Sequence, residues 1–237
     1  MKYIASISFG KDSLAMLLKL IENQEHIDSV VFYDTGMEFD AIYKTRDQVL
    51  PLLDYHNINF VTLRPKEPFL YSMLERKVKY RNKDGFHYGY EWCGGSCRWG
   101  TTAKLRAIQS YKKSLNDYVV DYVGIAADES SRFCKAQQEG KILPLVDYNM
   151  TESDCLQFCY DKGYSWNENG VRLYDVLDRV SCWCCRNKNL KELYNIYRYL
   201  PTYWNKLKEL QLQISTPFKG NGKSIFELEE RFKTYGG

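Results

Sequence analysis

The sequence lacks any run of the ~18 apolar residues that a membrane-spanning helix requires. It also lacks the basic region, long apolar stretch and small-residue cleavage site of a signal peptide, so we expect a cytoplasmic protein without a membrane partner. The excess of positive charge is small, a formal +3 over 237 residues, and does not by itself indicate a nucleic-acid-binding protein. Because disulfides are rare in a reducing compartment, we expect the eight cysteines to be metal ligands, redox groups or buried thiols.

Internal repeats and low-complexity tracts are also absent, and the length fits one large domain or one domain with an appendage. In the first half of the chain, short apolar runs alternate with helical patterns. Strands are predicted at residues 3–7, 29–33, 59–63 and 118–125, with helices at 39–53 and 101–111 among them. This alternation predicts an α/β fold, a doubly wound and mostly parallel sheet with helices on both faces.

The second half is predicted to be mainly helical, with helical patterns at residues 151–162, 190–200 and 203–212. We therefore expect residues 1–149 to form the α/β domain and residues 150–237 a helical C-terminal region, both within one compact unit. Residues 78–98 are expected to form a long loop. The aromatic and basic segment 194–208 is expected to pack helices together rather than bind single-stranded nucleic acid.

The change from strand to helix after residue 7 is the most informative local feature. Such a junction makes an anion site, because the first N–H groups of a helix are unpaired and the helix dipole adds positive charge. Lys11 adds a full charge, and Asp12 can cap the helix or hold a metal ion near a phosphate. The spacing is not that of a Walker A loop, and an ordinary strand–helix turn is the alternative. The candidate phosphate-binding residues are Ser8, Phe9, Gly10, Lys11, Asp12 and Ser13.

Polar residues also follow the second and fourth predicted strands, at the strand ends where parallel sheets bind ligands. After the second strand, Asp34 can coordinate a metal or accept a hydrogen bond from a ribose, and Thr35 and Gly36 complete a turn. Plain turn chemistry before a capped helix is the alternative there. After the fourth strand, Arg132 offers a planar fork for phosphate or sulfate oxygens, and Glu129 can orient it or hold magnesium. The alternative for these two is a surface ion pair.

These three segments, in this order, resemble the phosphoadenosine phosphosulfate reductase branch of the adenine nucleotide alpha hydrolase-like family. Residues 8–13 resemble its PP-loop, and residues 34–39 its Asp-Thr-Gly-x-Glu-Phe segment. Residues 124–132 resemble its Gly-Ile-Arg-x-x-Glu-Ser-x-x-Arg segment, with one residue fewer before the final arginine. The resemblance implies a five-stranded, mostly parallel sheet with a helical C-terminal layer, and a site for ATP or a related adenine nucleotide with Mg²⁺. Ala126 departs from the pattern, since an arginine is common there.

Four cysteines form two closely spaced pairs, and two such pairs can supply the four thiolates of a structural zinc site or an iron–sulfur cluster. By resemblance to the iron–sulfur members of the branch, we expect a 4Fe–4S cluster, with Zn²⁺ and four buried thiols as alternatives. Cys134 is a possible nucleophile, although an incidental thiol is the favoured interpretation, and Cys184 could replace Cys185 as a ligand or stay free. Cys155 and Cys159 could bind metal but are expected to pack in the core. The candidate ligands are Cys93, Cys97, Cys182 and Cys185.

The leading hypothesis is an enzyme that cleaves ATP at the α-phosphate and adenylates a substrate in sulfur transfer, with Lys11, Asp12 and Arg132 as the catalytic residues. Residues 227–237 contain no cysteine, which disfavours the route by which the family's reductases attack sulfate. One alternative is a sulfonucleotide reductase that uses another thiol. The other is a non-catalytic nucleotide- or nucleic-acid-binding module. The identity of the acceptor stays open. A nucleic-acid or sulfur-donor protein partner and a homo-oligomeric state are both possible.

Overall fold

The computed structural model of the chain describes residues 1–132 and 141–234, so Cys134 lies outside the described residues. The chain forms two compact units, each built from several segments. Unit 1 consists of Met1–Asp34, Asp40–Arg64 and Lys104–Trp166, and unit 2 of Thr35–Phe39, Pro65–Ala103 and Asn167–Gly237. The expected domain boundary between residues 149 and 150 stays a prediction, and the segment that spans it belongs to unit 1.

Strands and helices are numbered in chain order over the described residues. The strands are β1 Lys2–Ile7, β2 Ser29–Tyr33, β3 Asn59–Leu63, β4 Lys77–Lys79, β5 Phe86–Tyr88, β6 Val119–Val123, β7 Asn167–Glu168 and β8 Val171–Arg172. The helices are α1 Lys11–Glu22, α2 Asp40–Tyr55, α3 Lys104–Ser114, α4 Pro144–Asp147, α5 Glu152–Asp161, α6 Leu173–Val176, α7 Leu190–Tyr199, α8 Pro201–Gln213 and α9 Ile225–Thr234. Two π-helical turns lie at Tyr71–Glu75 and Arg98–Ala103.

Unit 1 is built on a parallel sheet in the order β3-β2-β1-β6. The middle strand β2 is buried along its whole length, which explains its continuous apolar sequence. Helices cover both faces of the sheet. On one face, Ile108 of α3 packs against Ile4 and Val31, and elsewhere in the unit α1 packs against α5. The predicted α/β class with a doubly wound parallel sheet is therefore confirmed.

The expected number of strands differs from the observed one. Within the described residues the sheet has four strands rather than five, and Ile142 adds a single parallel bridge to Tyr122 at the β6 edge. The Ile142 amide donates to the Asp121 carbonyl at 2.9 Å, and its carbonyl accepts from the Val123 amide at 3.1 Å. Pro144 begins α4 two residues later and has no N–H to donate. The ladder therefore cannot continue beyond Ile142 toward Pro144, and the described residues contribute a single bridge at this edge.

Unit 2 contains two short antiparallel hairpins, β4–β5 and β7–β8, and the helices α6 to α9. The prediction of a loop at residues 78–98 was therefore wrong for the residues that form the first hairpin. Four aromatic side chains join α7, α8 and α9, with ring centroids 5.5–6.4 Å apart: Tyr194, Tyr197, Trp204 and Phe232. This arrangement agrees with the packing role expected for residues 194–208.

Among the described residues, no helix has the length and apolar character that crossing a membrane requires.

Candidate functional site

The first candidate site is the loop of residues 8–13, at the carboxyl end of β1. The chain adds β2 and β3 on one side of β1 and then places β6 on the other side, so the strand order reverses between β1 and β6. Parallel sheets bind ligands at such a switch point. Gly10 caps α1 with an extended backbone and no side-chain hydrogen bond, and its carbonyl accepts from the Leu14 amide at 3.0 Å. The amides of Asp12 and Ser13 lie in the first turn, where a helix offers no carbonyl partner. These N–H groups and the helix dipole together favour an anion.

Two serine hydroxyls hold the shape of this loop. The Ser8 amide donates to Ser13 Oγ at 3.1 Å, and the Ser13 hydroxyl donates to the Gly10 carbonyl at 3.1 Å. The two hydroxyl oxygens are also 3.1 Å apart. Ser8 and Ser13 therefore join the two ends of the loop, in addition to any contact they make with a ligand.

Phe9 anchors the loop in the core of unit 1. Its backbone has a φ of 56°, in the left-handed region that non-glycine residues seldom adopt. Its fully buried ring contacts Phe32 and Phe60, with centroids 5.1 and 6.0 Å away. The Trp166 indole donates to the Phe9 carbonyl at 2.7 Å. Since the side chain points into the core, only the backbone of Phe9 is available to a nucleotide.

Lys11 is held between two carboxylates. Its ammonium lies 2.7 Å from Asp12 Oδ1 and 2.6 Å from Glu152 Oε2, and only 7% of the residue is exposed. Burial alone would lower the pKa of Lys11, but the hydrogen bonds to Asp12 and Glu152 outweigh it and raise the pKa above its ordinary value. Lys11 is therefore a positive charge fixed at the mouth of the loop.

The carboxylates around Lys11 form a compact acidic group. Burial, followed by the charges of Glu152 and Glu129, raises the pKa of Asp12, although Lys11 opposes this. Arg132 forms an ion pair with Oε1 of Glu129. The second oxygen of that carboxylate, Oε2, is buried and has no hydrogen-bond partner among the described residues. An orphaned carboxylate oxygen next to a phosphate-type loop fits a magnesium ion carried in with a nucleotide.

Gly124 allows the end of β6 to approach the start of α1. A Cβ at this position would lie 2.8 Å from the Ser13 Cα and 3.0 Å from the Asp12 carbonyl oxygen. Both neighbours are backbone atoms, so they cannot turn away. Only glycine therefore fits here. The segment that carries Glu129 and Arg132 begins five residues further along the chain.

The segment after β2 is divided between the two units. In unit 1, Asp34 is buried and accepts a hydrogen bond from the Tyr43 hydroxyl at 2.8 Å, with Arg64 3.5 Å away. In unit 2, the Thr35 hydroxyl donates to Glu38 at 2.8 Å, and Gly36 has a φ of 76°. The nucleotide-binding roles of Asp34, Thr35 and Gly36 stay predictions.

The second candidate site is the pair of cysteine loops, both in unit 2. Asn187 joins them with two hydrogen bonds to Gly95, accepting from its amide at 2.8 Å and donating to its carbonyl at 2.9 Å. Arg186 adds a contact to the Trp92 carbonyl at 3.5 Å. The stretch after Cys185 is thus tied to the loop that begins at Cys93.

The thiols of the two loops interact electrostatically. Burial is the main reason that the pKa of Cys184 is raised, and the neighbouring Cys185, Glu38 and Cys97 raise it further. Burial also raises the pKa of Cys182, together with Glu38 and Cys184. Lys188, only 2% exposed, lies in the same region, and burial lowers its pKa although nearby thiols and Glu192 oppose this.

The donor chemistry of this region fits a thiolate-bound metal. The Gly100 amide donates to Cys97 Sγ at 3.5 Å, and Thr35 Oγ1 lies 3.5 Å from Cys182 Sγ. Sulfur ligands suit zinc and iron–sulfur clusters. Across residues 1–132 and 141–234, however, no three cysteine, histidine or carboxylate side chains are arranged around one point as metal ligands would be. The ligand roles of Cys93, Cys97, Cys182 and Cys185 therefore stay predictions.

Cys155 and Cys159 lie on α5 in the core of unit 1, and both are fully buried. The Cys159 thiol donates to the Lys11 carbonyl at 3.4 Å. Burial raises the pKa of Cys155 to about 12. These two thiols therefore support the start of α1 by packing, as expected.

Sequence reasoning missed three residues that shape the sites, Glu152, Trp166 and Asn187. Glu152 is 141 positions from Lys11, Trp166 is 157 positions from Phe9, and Asn187 is 92 positions from Gly95. No local motif marks any of these long-range partners. Glu152 follows the Thr151 cap of α5 and Asn187 follows Cys185 by two residues, but no such signal marks Trp166.

A parallel α/β sheet with an N–H-lined loop at its switch point defines a protein of the nucleotide-binding α/β class. Residues 2–175 match the phosphoadenosine phosphosulfate reductase domain, and the chain belongs to this family. Membership supports a role that is adenine-nucleotide-binding and sulfur-related, and it confirms the resemblance found in the sequence.

Two further comparisons are more distant. The uncharacterized protein MJ0066 of Methanocaldococcus jannaschii is 25% identical over 221 residues, which cover 86% of this chain but only 40% of that protein. The chain thus spans less than half the length of this relative. The structure of the U34-tRNA thiolase NcsA from Methanococcus maripaludis with its 4Fe–4S cluster aligns over 99% of this chain and 72% of that chain, with 11% identity and a TM-score of 0.44. A likeness of that size carries no conclusion about activity.

Proposed function

We propose that this protein binds ATP through the loop of residues 8–13 and transfers its adenylate to an acceptor in a sulfur-related reaction. The observation that carries the proposal is the geometry of this loop. Its first-turn amides and Lys11 lie at the switch point of a parallel sheet, Gly124 packs against the start of α1, and the charge of Glu129 acts on Asp12. Family membership supports an adenine nucleotide as the ligand.

In the proposed reaction, an acceptor oxygen attacks the α-phosphorus and the bond to the β-phosphate oxygen breaks. The acceptor takes AMP, and pyrophosphate leaves. Negative charge grows on the departing pyrophosphate, and the amides of the loop and Lys11 stabilise that charge. Asp12 and Glu129 would hold the Mg²⁺ that comes with the nucleotide, and Arg132 would bind an anionic group of the substrate. The buried Asp34 carboxylate would lie near the adenosine.

The adenylated acceptor can then react with a sulfur or nitrogen nucleophile, which displaces AMP. We propose a metal centre on the four paired cysteines for the sulfur-related part of this role. A 4Fe–4S cluster would supply sulfur or electrons, whereas Zn²⁺ in its place would only brace the two loops. The support for this centre is the Asn187–Gly95 link between the two cysteine loops and the donor chemistry of the thiols. The residues that would hold it are Cys93, Cys97, Cys182 and Cys185.

The first experiment is calorimetric binding of α,β-methylene-ATP with Mg²⁺, because this analogue cannot be cleaved at the α-phosphate and needs no acceptor. Lys11→Met and Ser13→Ala should each weaken binding at least about tenfold, a loss of ~1.4 kcal/mol. The matched control is Lys113→Met, which removes an exposed lysine from α3. Wild-type affinity in both loop variants would contradict the loop assignment. Binding of ATP without any release of AMP and pyrophosphate, over a panel of acceptors, would favour a non-catalytic nucleotide-binding module.

A second candidate function is a sulfonucleotide reductase, which the family match itself favours. It differs from the first in the nucleotide that it consumes and in its product. Adenylylsulfate incubated with the protein and a thiol reductant would release sulfite and AMP, whereas the adenylating enzyme would leave adenylylsulfate intact. Sulfite release above the background without protein would therefore replace the first proposal.

A further inference from the structure

One exposed face of the β4–β5 hairpin combines cationic and aromatic side chains. Lys77 pairs with Tyr88 and Lys79 with Phe86, so these four side chains share one side of the ribbon. All four residues are exposed, Phe86 by 53% and Tyr88 by 68%. We call these four residues the hairpin face. Val78 alternates with the two lysines on the opposite side and is only partly exposed.

The hairpin concentrates the positive charge of the chain. Residues 77–88 contain four cations and one carboxylate, with a formal charge of +3, and the entire chain also has a formal charge of +3. In the described parts of the chain, none of these four cations forms an ion pair with a carboxylate: Lys77, Lys79, Arg81 and Lys83. The modest charge of the whole sequence therefore hides a local basic patch.

The cations lie beside the aromatic rings rather than away from them. The Lys77 ammonium is 4.3 Å from the centroid of the Phe86 ring, and the Lys83 ammonium is 4.1 Å from that of Tyr80. An exposed Phe and an exposed Tyr on a short two-stranded ribbon gain little from folding, because most of their apolar surface stays in water. Their position among cations is better explained by a ligand that has both flat apolar faces and negative charge.

The base of the hairpin is firmly held in unit 2. The Gly89 amide donates to the Arg76 carbonyl at 2.8 Å, and the Tyr90 amide donates to the Ser72 carbonyl at 3.1 Å. Gly89 has a φ of 69°, and a Cβ there would lie 2.2 Å from the Met73 carbonyl oxygen. The ribbon thus leaves its π-helical turn in a fixed direction and presents its exposed face on a rigid support.

We propose that the hairpin face binds single-stranded nucleic acid. Bases stack on Phe86 and Tyr88, and Lys77 and Lys79 contact the phosphates between them, the combination by which proteins bind single strands without sequence preference. The charge complementarity favours a polyanion, and the two exposed rings favour one with unpaired bases over a duplex or an acidic polypeptide. DNA and RNA strands share this chemistry, so the experiment compares the two.

The test measures the anisotropy of fluorescein-labelled oligo(dT) and oligo(U) bound to the full chain, over a series of KCl concentrations and without ATP. Phe86→Ala/Tyr88→Ala should weaken binding at least about tenfold through lost stacking, with the salt dependence unchanged. Lys77→Gln/Lys79→Gln should reduce the slope of log affinity against log salt by about 1.4, since each phosphate contact on a single strand contributes about 0.7.

The matched control is Lys113→Gln/Tyr118→Ala, which removes an exposed lysine and a tyrosine that is 69% exposed, both in unit 1. If both hairpin variants bound the oligonucleotides with the affinity of the control variant, the proposal would be overturned. The same holds if the wild type bound duplex DNA or polyglutamate as tightly as a single strand. Loss of self-association in the aromatic variant, with no oligonucleotide binding by the wild type, would instead identify a second copy as the occupant. Because ATP is absent, failure here leaves the proposed adenylation untouched.

Discussion

Replacement of Gly124 by alanine should disturb the phosphate loop from outside it. The added Cβ would lie 2.8 Å from the Ser13 Cα and 3.1 Å from the Ser13 amide nitrogen. To reach an ordinary contact of 3.4 Å, the start of α1 must move away by about 0.6 Å, the difference between 3.4 and 2.8 Å. Overpacking of this kind costs ~1–3 kcal/mol. In a chain of this length, that corresponds to a decrease in Tm of about 2–12 °C.

The same displacement carries the loop amides away from their ligand, so we expect the affinity for α,β-methylene-ATP to fall at least about tenfold. Calorimetry would measure binding at a temperature well below the Tm of the variant, and thermal unfolding would measure stability. Gly100→Ala is the matched control, because its new Cβ meets only Cys97 Sγ, at 4.0 Å. Unchanged nucleotide affinity in Gly124→Ala would refute the inference that this contact positions the loop.

Three other predictions concern the cysteine loops, a buried thiol and the metal requirement. Asn187→Ala should lower the iron or zinc retained after anaerobic reconstitution, measured by metal analysis against the exposed control Asn221→Ala. Burial raises the pKa of Cys155 to about 12, above the ordinary 9.0. The contribution of this protonated thiol to the free energy of unfolding is therefore complete below about pH 9 and is lost as the pH rises toward 12. Cys155→Ala should therefore flatten the fall in the urea midpoint above pH 9. Chelation of Mg²⁺ should weaken ATP binding at least about tenfold by calorimetry, and Glu152→Gln should reduce that loss.

Sequence reasoning succeeded where the determining interactions are local. The strands β2 and β3 begin and end at the predicted residues, because each is a short apolar run bounded by polar residues. The loop of residues 8–13 was equally visible, since a glycine between a strand and an amphipathic helix is a local signal. Its exact shape was not visible, because it depends on Trp166 and Gly124 from distant parts of the chain.

The hairpin β4–β5 illustrates why the rest was not predicted. Its strands are three residues each, and lysines occupy two of the three positions in β4. Such a strand has no apolar alternation to detect, and the turn between the strands reads as a charged loop. The helix α9 was also missed, although Ile225, Leu228 and Phe232 bury one of its faces. Its apolar positions are few, and its partners in α7 and α8 provide the stabilising contacts.

The balance of charge around the loop explains why magnesium is expected to decide nucleotide affinity. Lys11 and Arg132 face three carboxylates, those of Asp12, Glu129 and Glu152, so the group has one more negative than positive charge. Both cations already have carboxylate partners, and a polyphosphate must compete for them. Without a metal ion, only the neutral backbone amides would hold free ATP. They would have to overcome the repulsion between its phosphates and the excess carboxylate. A divalent ion held by Asp12 and Glu129 would reverse the sign of the interaction, which is why loss of one carboxylate, Glu152, should partly substitute for the ion.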